Sequence, residues 1–202
     1  MSRPPVLQTK RLLLRPFRLK DAPSVRRLAG DRRIAATTLE LPHPYEKGMA
    51  RAWIRTHRDL FDRRRAVNFA ITLGDDGDVI GAIALRLEEG HDRAEMGYWI
   101  GVPSWNRGFA TEAAAAVLEY GFRDLRLNRI HAHCMNRNFA SGRVLEKIGM
   151  RHEGRLRRHV RKLGVYEDIE VYGILRSEWV EHEGTVAGGA VEGKASGRRH
   201  PA

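Results

Sequence analysis

Residues 97–112 constrain the fold more than any other part of the chain, because they read as an apolar strand, a short turn and the start of a long helix (GYWIGVPSWNRGFATE). The first turn of a helix has backbone N–H groups without partners and partial positive charge, so it can bind an anion. Gly108 and Ala110 leave room for close approach to the backbone. Arg107 adds positive charge and Thr111 offers a hydroxyl group. The segment therefore predicts a phosphate-binding turn.

Length and composition predict one globular domain with a tail. We expect the 202 residues to form a single domain over residues 1–180, followed by a Gly/Ala-rich, disordered tail over residues 181–202. No apolar run approaches the roughly 18 to 20 residues of a membrane span, and the N-terminus lacks a secretory hydrophobic region. The single cysteine, Cys134, excludes an intramolecular disulfide. These features predict a cytoplasmic protein with no membrane partner.

The net charge of +11 belongs to the predicted domain, because the acidic and basic residues of the tail balance. Such an excess suits nucleic acid, an anionic cofactor or an acidic polypeptide as partner. A basic surface that serves only solubility explains the charge equally well. Aromatic residues are sparse in the basic runs and no nucleic-acid-binding motif is present, so direct nucleic-acid binding ranks low.

Hydrophobic periodicity predicts alternating strands and helices with no internal repeat. The predicted strands are residues 12–17, 67–73, 79–87, 94–100, 129–135, 151–160 and 165–175. The predicted helices follow Asp21, span residues 46–61, begin near Phe109 and span residues 138–148, while residues 32–45 are expected to form a loop or lid. The order of these elements predicts an α+β sandwich, in which about four helices flank a mixed sheet of about seven strands.

Several motifs agree in order and spacing with one known family. They are WNRGFATEA, NRNFASGRVLEKIGM and the EG pair that follows. Together they resemble the GNAT superfamily of N-acetyltransferases, specifically its RimJ/RimL-type branch, some of whose members acetylate the N-terminal amine of ribosomal proteins. The resemblance covers residues 7–179. Trp105 departs from the Gln or Arg of the broad superfamily pattern, but this branch commonly carries an aromatic residue there.

The resemblance implies that acetyl-CoA is the donor substrate and lies in a V-shaped gap where the central strands splay apart. The phosphate-binding turn would then hold the pyrophosphate through Asn106, Arg107, Gly108, Phe109, Ala110 and Thr111. Ile100 and Val102 are expected to pair through their backbone with the pantetheine arm, which resembles a peptide strand. The N–H of Ile100 would polarise the thioester carbonyl. Core packing of both side chains is compatible with these backbone roles.

The helix that opens with Asn138 and Ser141 is the next part of the site that the resemblance implies. Asn138 would hydrogen-bond the pantetheine or an opening strand, and Ser141 would donate a proton to the departing thiolate. Helix capping alone also explains both residues. Arg143, which shares a helix face with Lys147, is expected to meet the 3′-phosphate, unless the two form a solvated basic face.

Glu95 is the carboxylate that we expect to act as general base, directly or through water. An exposed ion pair with an arginine is its alternative. Deprotonating an α-amine at pH 7 costs about 1.4 kcal/mol, whereas a lysine costs about 4.6 kcal/mol, so a lysine needs a stronger base. His159 could substitute only if it faced the cleft, and Asp168 and Tyr166 are expected to shape the acceptor pocket.

No metal site is predicted. His131 and His133 form an H-x-H pair on one face of a strand, but no third ligand follows at a motif spacing. Half-exposed strand residues are the favoured interpretation. Cys134, on the opposite face, is expected to be a small core residue without nucleophilic activity.

The function predicted from the sequence is an acetyl-CoA-dependent N-acetyltransferase that uses direct attack in a ternary complex. A protein N-terminal α-amine, such as that of a ribosomal protein, is the expected acceptor, and a small-molecule amine is the alternative. An inactive CoA-binding subunit and a basic nucleic-acid-binding module are more distant alternatives. The branch also suggests a homodimer, and contact with nucleic acid only through the ribosome.

Overall fold

The computed structural model describes residues 4–74 and 77–179. The strands are β1 (Leu7–Gln8), β2 (Leu12–Arg15), β3 (Ala66–Leu73), β4 (Val79–Glu88), β5 (Arg93–Ile100), β6 (Arg129–Met135), β7 (Arg151–Lys162) and β8 (Val165–Leu175). The helices are α1 (Ala22–Ala29), α2 (Arg32–Thr37), α3 (Met49–Asp62), α4 (Phe109–Arg123) and α5 (Phe139–Lys147), and residues 176–179 are also helical. The predicted α+β architecture with a mixed sheet is confirmed. The predicted tail lies outside the described residues.

Two elements differ from the expectation. Strand β1 adds an eighth strand, because Leu7 and Gln8 pair with Leu14 and Leu13 of β2. The segment expected to be a loop or lid begins instead with helix α2. Asp31 caps this helix by accepting a hydrogen bond from the N–H of Arg33, and Ile34 and Ala35 are buried. The expectation was therefore wrong for residues 32–37, because one short apolar turn with a cap carries too little periodicity to be recognised.

The strands follow the order β1-β2-β3-β4-β5-β6-β8-β7, and β5 and β6 form the parallel pair. These two strands pair only along their first halves, where Arg93–Met96 face Arg129–Ala132. Residues 97–100 of β5 stay paired with β4 but leave β6, while the second half of β6 stays paired with β8. The sheet therefore splays open in the middle, as expected, and leaves a strand edge on β5 without a neighbouring strand.

Helices cover both faces of the sheet and form two hydrophobic cores. Helix α4 packs on one face, where Met96 and Ile130 are buried with it. Helices α1 and α3 pack on the other face around Trp99. The two faces alternate along β5, so neighbouring residues of this strand contribute to different cores.

Helix α4 lies very close to the sheet because small residues line its inner side. Ala113 and Ala114 are fully buried. A Cβ atom at Gly121 would lie 2.5 Å from the Cδ1 atom of Ile130, which no side chain tolerates without a shift. The small residues on the inner side of α4 thus set the depth at which this helix packs. Within the described residues, no helix combines the length and apolar character needed to cross a membrane.

Candidate active site

A cavity of about 1060 Å³ occupies the gap between β5 and β6 and continues under α2 and the segment that follows it. Its lining includes the start of α4, the free edge of β5, the start of α5 and the sheet face that carries Glu95. The cavity therefore connects the predicted phosphate-binding turn with the predicted general base.

The phosphate-binding turn takes the backbone geometry that an anion site needs. Asn106 and Gly108 have positive φ angles of 58° and 77°, so the chain turns sharply before α4 begins. Gly108 occupies the N-cap position and has no side chain to cap the helix. The N–H groups of the first turn consequently face the cavity, which Gly108, Phe109, Ala110 and Thr111 line.

Contacts from the N-terminal strand region fix this turn in place. The Arg11 guanidinium donates to the carbonyl of Arg107 at 2.9 Å and lies 4.7 Å from the centre of the Phe109 ring. The carboxylate of Glu112 accepts hydrogen bonds from the Thr9 hydroxyl at 2.6 Å and from the Arg11 N–H at 2.8 Å. Sequence reasoning missed Arg11, because nothing local to it indicates a partner about a hundred residues away.

Arg107 and Val102 lie outside the cavity lining. The Arg107 guanidinium lies over the Phe109 ring, 4.8 Å from its centre. Val102 is in a 3-10 turn and packs its side chain against the core around Trp99. The other residues predicted to bind the donor line the cavity: Ile100, Asn106, Gly108, Phe109, Ala110, Thr111, Asn138, Ser141 and Arg143.

The backbone of Ile100 faces the open side of β5. Gly101 donates its N–H to Ile80 of β4 at 2.7 Å. Because successive backbone groups of a strand point to opposite sides, the N–H and C=O of Ile100 point away from β4, toward the gap. The indole N–H of Trp105 already donates to the Ile100 carbonyl at 2.6 Å. Trp105 stands where the broad superfamily pattern has Gln or Arg. Its hydrogen bond to Ile100 thus fixes the C-terminal end of the open edge of β5.

The start of α5 brings together Asn138, Ser141 and Tyr98. The Asn138 side chain accepts a hydrogen bond from the Ser141 N–H at 3.2 Å and donates to the carbonyl of Thr37 at 3.2 Å. Asn138 therefore caps α5, as the helix-capping alternative predicted. It also holds the end of α2 in place through its hydrogen bond to Thr37. The Tyr98 and Ser141 hydroxyl oxygens lie 2.8 Å apart. Tyr98 was missed in the sequence, where it reads only as one more residue of an apolar strand.

Burial controls the protonation of the groups around Ser141. It raises the pKa of Tyr98 well above its ordinary value, although the hydrogen bond with Ser141 acts the other way. Burial also raises the pKa of the Cys134 thiol to about 11. Tyr98 therefore stays a hydrogen-bond donor at neutral pH. Cys134 stays a thiol and is 5% exposed, as expected of a small core residue.

Glu95 lines the cavity from the face of β5 opposite to Tyr98, and its side chain is 25% exposed. Its carboxylate is 3.4 Å from the Nδ1 atom of His133 and 3.2 Å from the guanidinium of Arg86. The hydrogen bond with His133 and the charge of Arg86 hold the pKa of the Glu95 carboxyl below its ordinary value, although burial acts in the opposite direction. Glu95 thus lines the cavity and also forms the arginine ion pair considered as its alternative.

A residue of the β7–β8 hairpin contacts the wall of the cavity that follows α2. The Lys162 ammonium donates to the carbonyls of Leu39 and Leu41 at 3.2 and 2.6 Å. Leu39 and Leu41 both line the cavity. His159, Asp168 and Tyr166 of the same hairpin do not line it, and Asp168 accepts a hydrogen bond from the N–H of Arg158 instead. The hairpin therefore acts on the cavity through Lys162.

The fold and the cavity define a class of acyl-transferring enzyme, and comparisons with known proteins agree. Residues 11–151 match the model of the acetyltransferase (GNAT) domain family. The chain is 36% identical, over 86% of its length and 98% of the relative's, to an uncharacterized N-acetyltransferase of Bacillus subtilis (strain 168), YnaD. Mycobacterium smegmatis RimJ in complex with CoA-disulfide is 25% identical, with a TM-score of 0.79 over 92% of this chain and 95% of that one.

A third comparison concerns the fold alone. RimL, a ribosomal L7/L12 alpha-N-protein acetyltransferase solved in complex with coenzyme A, is 19% identical and superposes with a TM-score of 0.78 over 85% of this chain and 98% of that one. The chain belongs to the GNAT acetyltransferase family, and it is an acetyl-transferring enzyme.

Proposed function

We propose that this enzyme transfers the acetyl group of acetyl-CoA directly to the N-terminal α-amine of a protein, with donor and acceptor bound together. One observation carries the proposal: a single cavity joins the anion-binding turn, the open edge of β5 and the carboxylate of Glu95. A cavity with these three features accommodates a phosphate-bearing donor at one end and an amine at the other.

The donor end supplies backbone groups and positive charge. The unpaired N–H groups from Gly108 to Thr111 would bind the pyrophosphate. The open edge of β5 at Ile100 would pair with the pantetheine amides, and the Ile100 N–H would polarise the thioester carbonyl. Arg143 and Lys147 line the same end of the cavity and would meet the 3′-phosphate.

Ser141 would give its hydroxyl proton to the thiolate that leaves when the amine attacks the thioester carbonyl, and its oxygen would regain a proton from solvent. The phenol of Tyr98 keeps its proton because burial raises its pKa, so it can donate to the Ser141 hydroxyl oxygen. The hydrogen of Ser141 is then directed into the cavity. Tyr98 positions Ser141 in this scheme.

The chemistry of Glu95 favours an α-amine over a lysine side chain. A carboxylate with a lowered pKa is a weak base, and it would accept the proton of the amine directly or through water. Deprotonation at pH 7 costs about 1.4 kcal/mol for an α-amine and about 4.6 kcal/mol for a lysine.

A small-molecule amine is the second candidate acceptor. Glu40 pairs with Arg86 at 2.7 Å, and Arg86 also contacts Glu95, so one guanidinium binds two carboxylates that line the cavity. Two carboxylates in a cavity that Lys162 helps to close would suit a compact cationic amine.

Acetylation of three acceptor sets distinguishes these candidates. The sets are peptides with a free N-terminus and no lysine, N-terminally blocked peptides with one lysine, and small amines, each incubated with acetyl-CoA and analysed by mass spectrometry. We expect acetylation of the free N-termini at a kcat/KM at least about tenfold above that of the other sets. Faster acetylation of blocked lysine peptides or of small amines would refute the proposed acceptor.

A further inference from the structure

Glu95, His131 and His133 lie together on the sheet face that carries the acceptor end of the cavity. Glu95 pairs in register with His131 of the neighbouring strand β6, and His133 follows two residues later on the same face. One potential ligand atom from each side chain lies within 4.8 Å of those of the other two. The parallel pairing of β5 and β6 thus supplies the third ligand that the H-x-H spacing lacks.

His131 carries an unused ligand atom. Within residues 4–74 and 77–179, its Nδ1 atom is buried and has no hydrogen-bond partner. Buried polar atoms are nearly always satisfied, so this atom calls for a partner.

The three side chains could bind a small metal ion if their ligand atoms moved slightly closer together. Metal bonds of about 2.0–2.2 Å in a tetrahedral arrangement place ligand atoms about 3.3 Å apart. His133 and Glu95 are already 3.4 Å apart at their closest atoms. The largest separation in the cluster would shrink by about 1.5 Å at most. Glu95 and His133 are each only about a quarter exposed, and they border the cavity, so their side chains have space to rotate.

We propose that Glu95, His131 and His133 bind a divalent transition metal ion of the zinc class. Two imidazoles and one carboxylate match the zinc ligand set that leaves one coordination position open, and this position would face the cavity. Imidazole ligands disfavour Mg²⁺ and Ca²⁺, which require oxygen ligands. The positive charges of Arg86 and Arg129 oppose binding, although Arg129 is paired with Glu153.

Metal binding would inhibit acetyl transfer, and this consequence rests on the proposed role of Glu95. A carboxylate oxygen that coordinates a metal ion is no longer free to accept a proton from the amine. The site would therefore link activity to the concentration of zinc-class ions.

Binding of Zn²⁺ and Co²⁺ to the chelator-treated full-length protein tests the proposal without any acetyl-transfer assay. We expect heat on titration with Zn²⁺, and visible absorption typical of four- or five-coordinate Co²⁺. His131→Gln should weaken Zn²⁺ affinity at least about tenfold. His159→Gln, which changes an exposed histidine on β7, should leave the affinity unchanged. Absence of binding to the unsubstituted protein, or equal affinity in both variants, would overturn the proposal.

Acetyl transfer with and without Zn²⁺ then tests the consequence. His131 does not line the cavity, so the His131→Gln variant should keep its metal-free rate and resist inhibition by Zn²⁺. If Zn²⁺ binds but does not inhibit, the metal site stands and the role of Glu95 as the base fails. His131→Asn provides a second variant if the first does not fold, as judged by circular dichroism.

Discussion

His57 is a partly buried histidine whose side chain makes no hydrogen bond within the described part of the chain. It lies on α3 against the rings of Phe17 and Trp53, at centroid distances of 5.3 and 4.3 Å. Both ring nitrogens are buried without a partner. Burial lowers its pKa from 6.5 to about 4, so the folded protein binds this proton less tightly than the unfolded chain does.

The lowered pKa of His57 predicts a loss of stability in mild acid. The stabilising contribution is complete above pH 6.5 and is lost as the pH falls toward about 4. Between about pH 7.5 and pH 5 the free energy of unfolding should fall by about 2 kcal/mol through this residue. Urea denaturation of the native protein and of His57→Phe measures it. A variant with the same pH dependence as the native protein would disprove the assignment.

Ser141→Ala tests the proposed proton donor. We expect kcat to fall about ten- to hundredfold, near the low end for general acid catalysis, because a thiolate is already a good leaving group. The Kd for acetyl-CoA should stay within about twofold, since the Asn138 cap uses the backbone N–H of this residue. Ser104→Ala, at another serine that lines the cavity, is the control. An unchanged kcat in Ser141→Ala would refute the assignment of Ser141 as the proton donor.

At the scale of elements, the contact between β4 and β5 positions the edge that we expect to bind the donor. A Cβ atom at Gly81 would lie 2.4 Å from the Trp99 carbonyl oxygen and 2.8 Å from the Ile100 Cδ1 atom. The two strands approach so closely here that only glycine fits. At Gly97, on the partner strand, the nearest atom to such a Cβ is 3.8 Å away, in the Arg86 side chain.

This difference predicts unequal effects of two glycine-to-alanine substitutions in one strand pair. Gly81→Ala should lower the free energy of unfolding by about 1–3 kcal/mol, because the backbone of β5 must move. Gly97→Ala should change it by less than about 1 kcal/mol. Urea denaturation of both variants gives the comparison, and equal effects would contradict the packing argument.

At the scale of the whole molecule, the cavity exists because segments far apart in the sequence come into contact around it. Helix α2 and the residues after it are held over the cavity by α5, through Asn138, and by β7, through Lys162. Arg137 adds a hydrogen bond to the carbonyl of Ala36 at 2.7 Å. This wall of the cavity, where we propose that the acceptor binds, is therefore fixed by contacts that span most of the domain.

Lys162→Met should loosen this wall and leave the donor end intact. Loss of hydrogen bonds from a charged donor costs about 1.5 kcal/mol, so kcat/KM for the acceptor should fall roughly tenfold. The Kd for acetyl-CoA should not change. Arg161→Met removes the same charge from the same strand without touching Leu39 or Leu41, and we expect it to behave like the native enzyme. Equal losses of kcat/KM in both variants would show that positive charge on this strand, and not the contact with Leu39 and Leu41, affects the reaction.

Much of the fold could be predicted because its signals are local. Hydrophobic periodicity over consecutive residues identified β3, β4 and α4. Helix α2 was missed because six residues carry little periodicity. Tyr98 and Arg11 were missed because their partners lie 43 and about a hundred residues away, beyond any sequence pattern.

The sequence by itself determined the class of fold, the family and the turn before α4, because a positive-φ glycine followed by unpaired helix N–H groups is a property of neighbouring residues. Only the tertiary structure decided which side chains share the cavity. Pairing of β5 with β6 sets Glu95 beside His131 and His133, and the separation of the same strands after Met96 opens the gap. Long-range strand pairing determines both the position of Glu95 and the opening of the gap. No local sequence pattern encodes the register of that pairing.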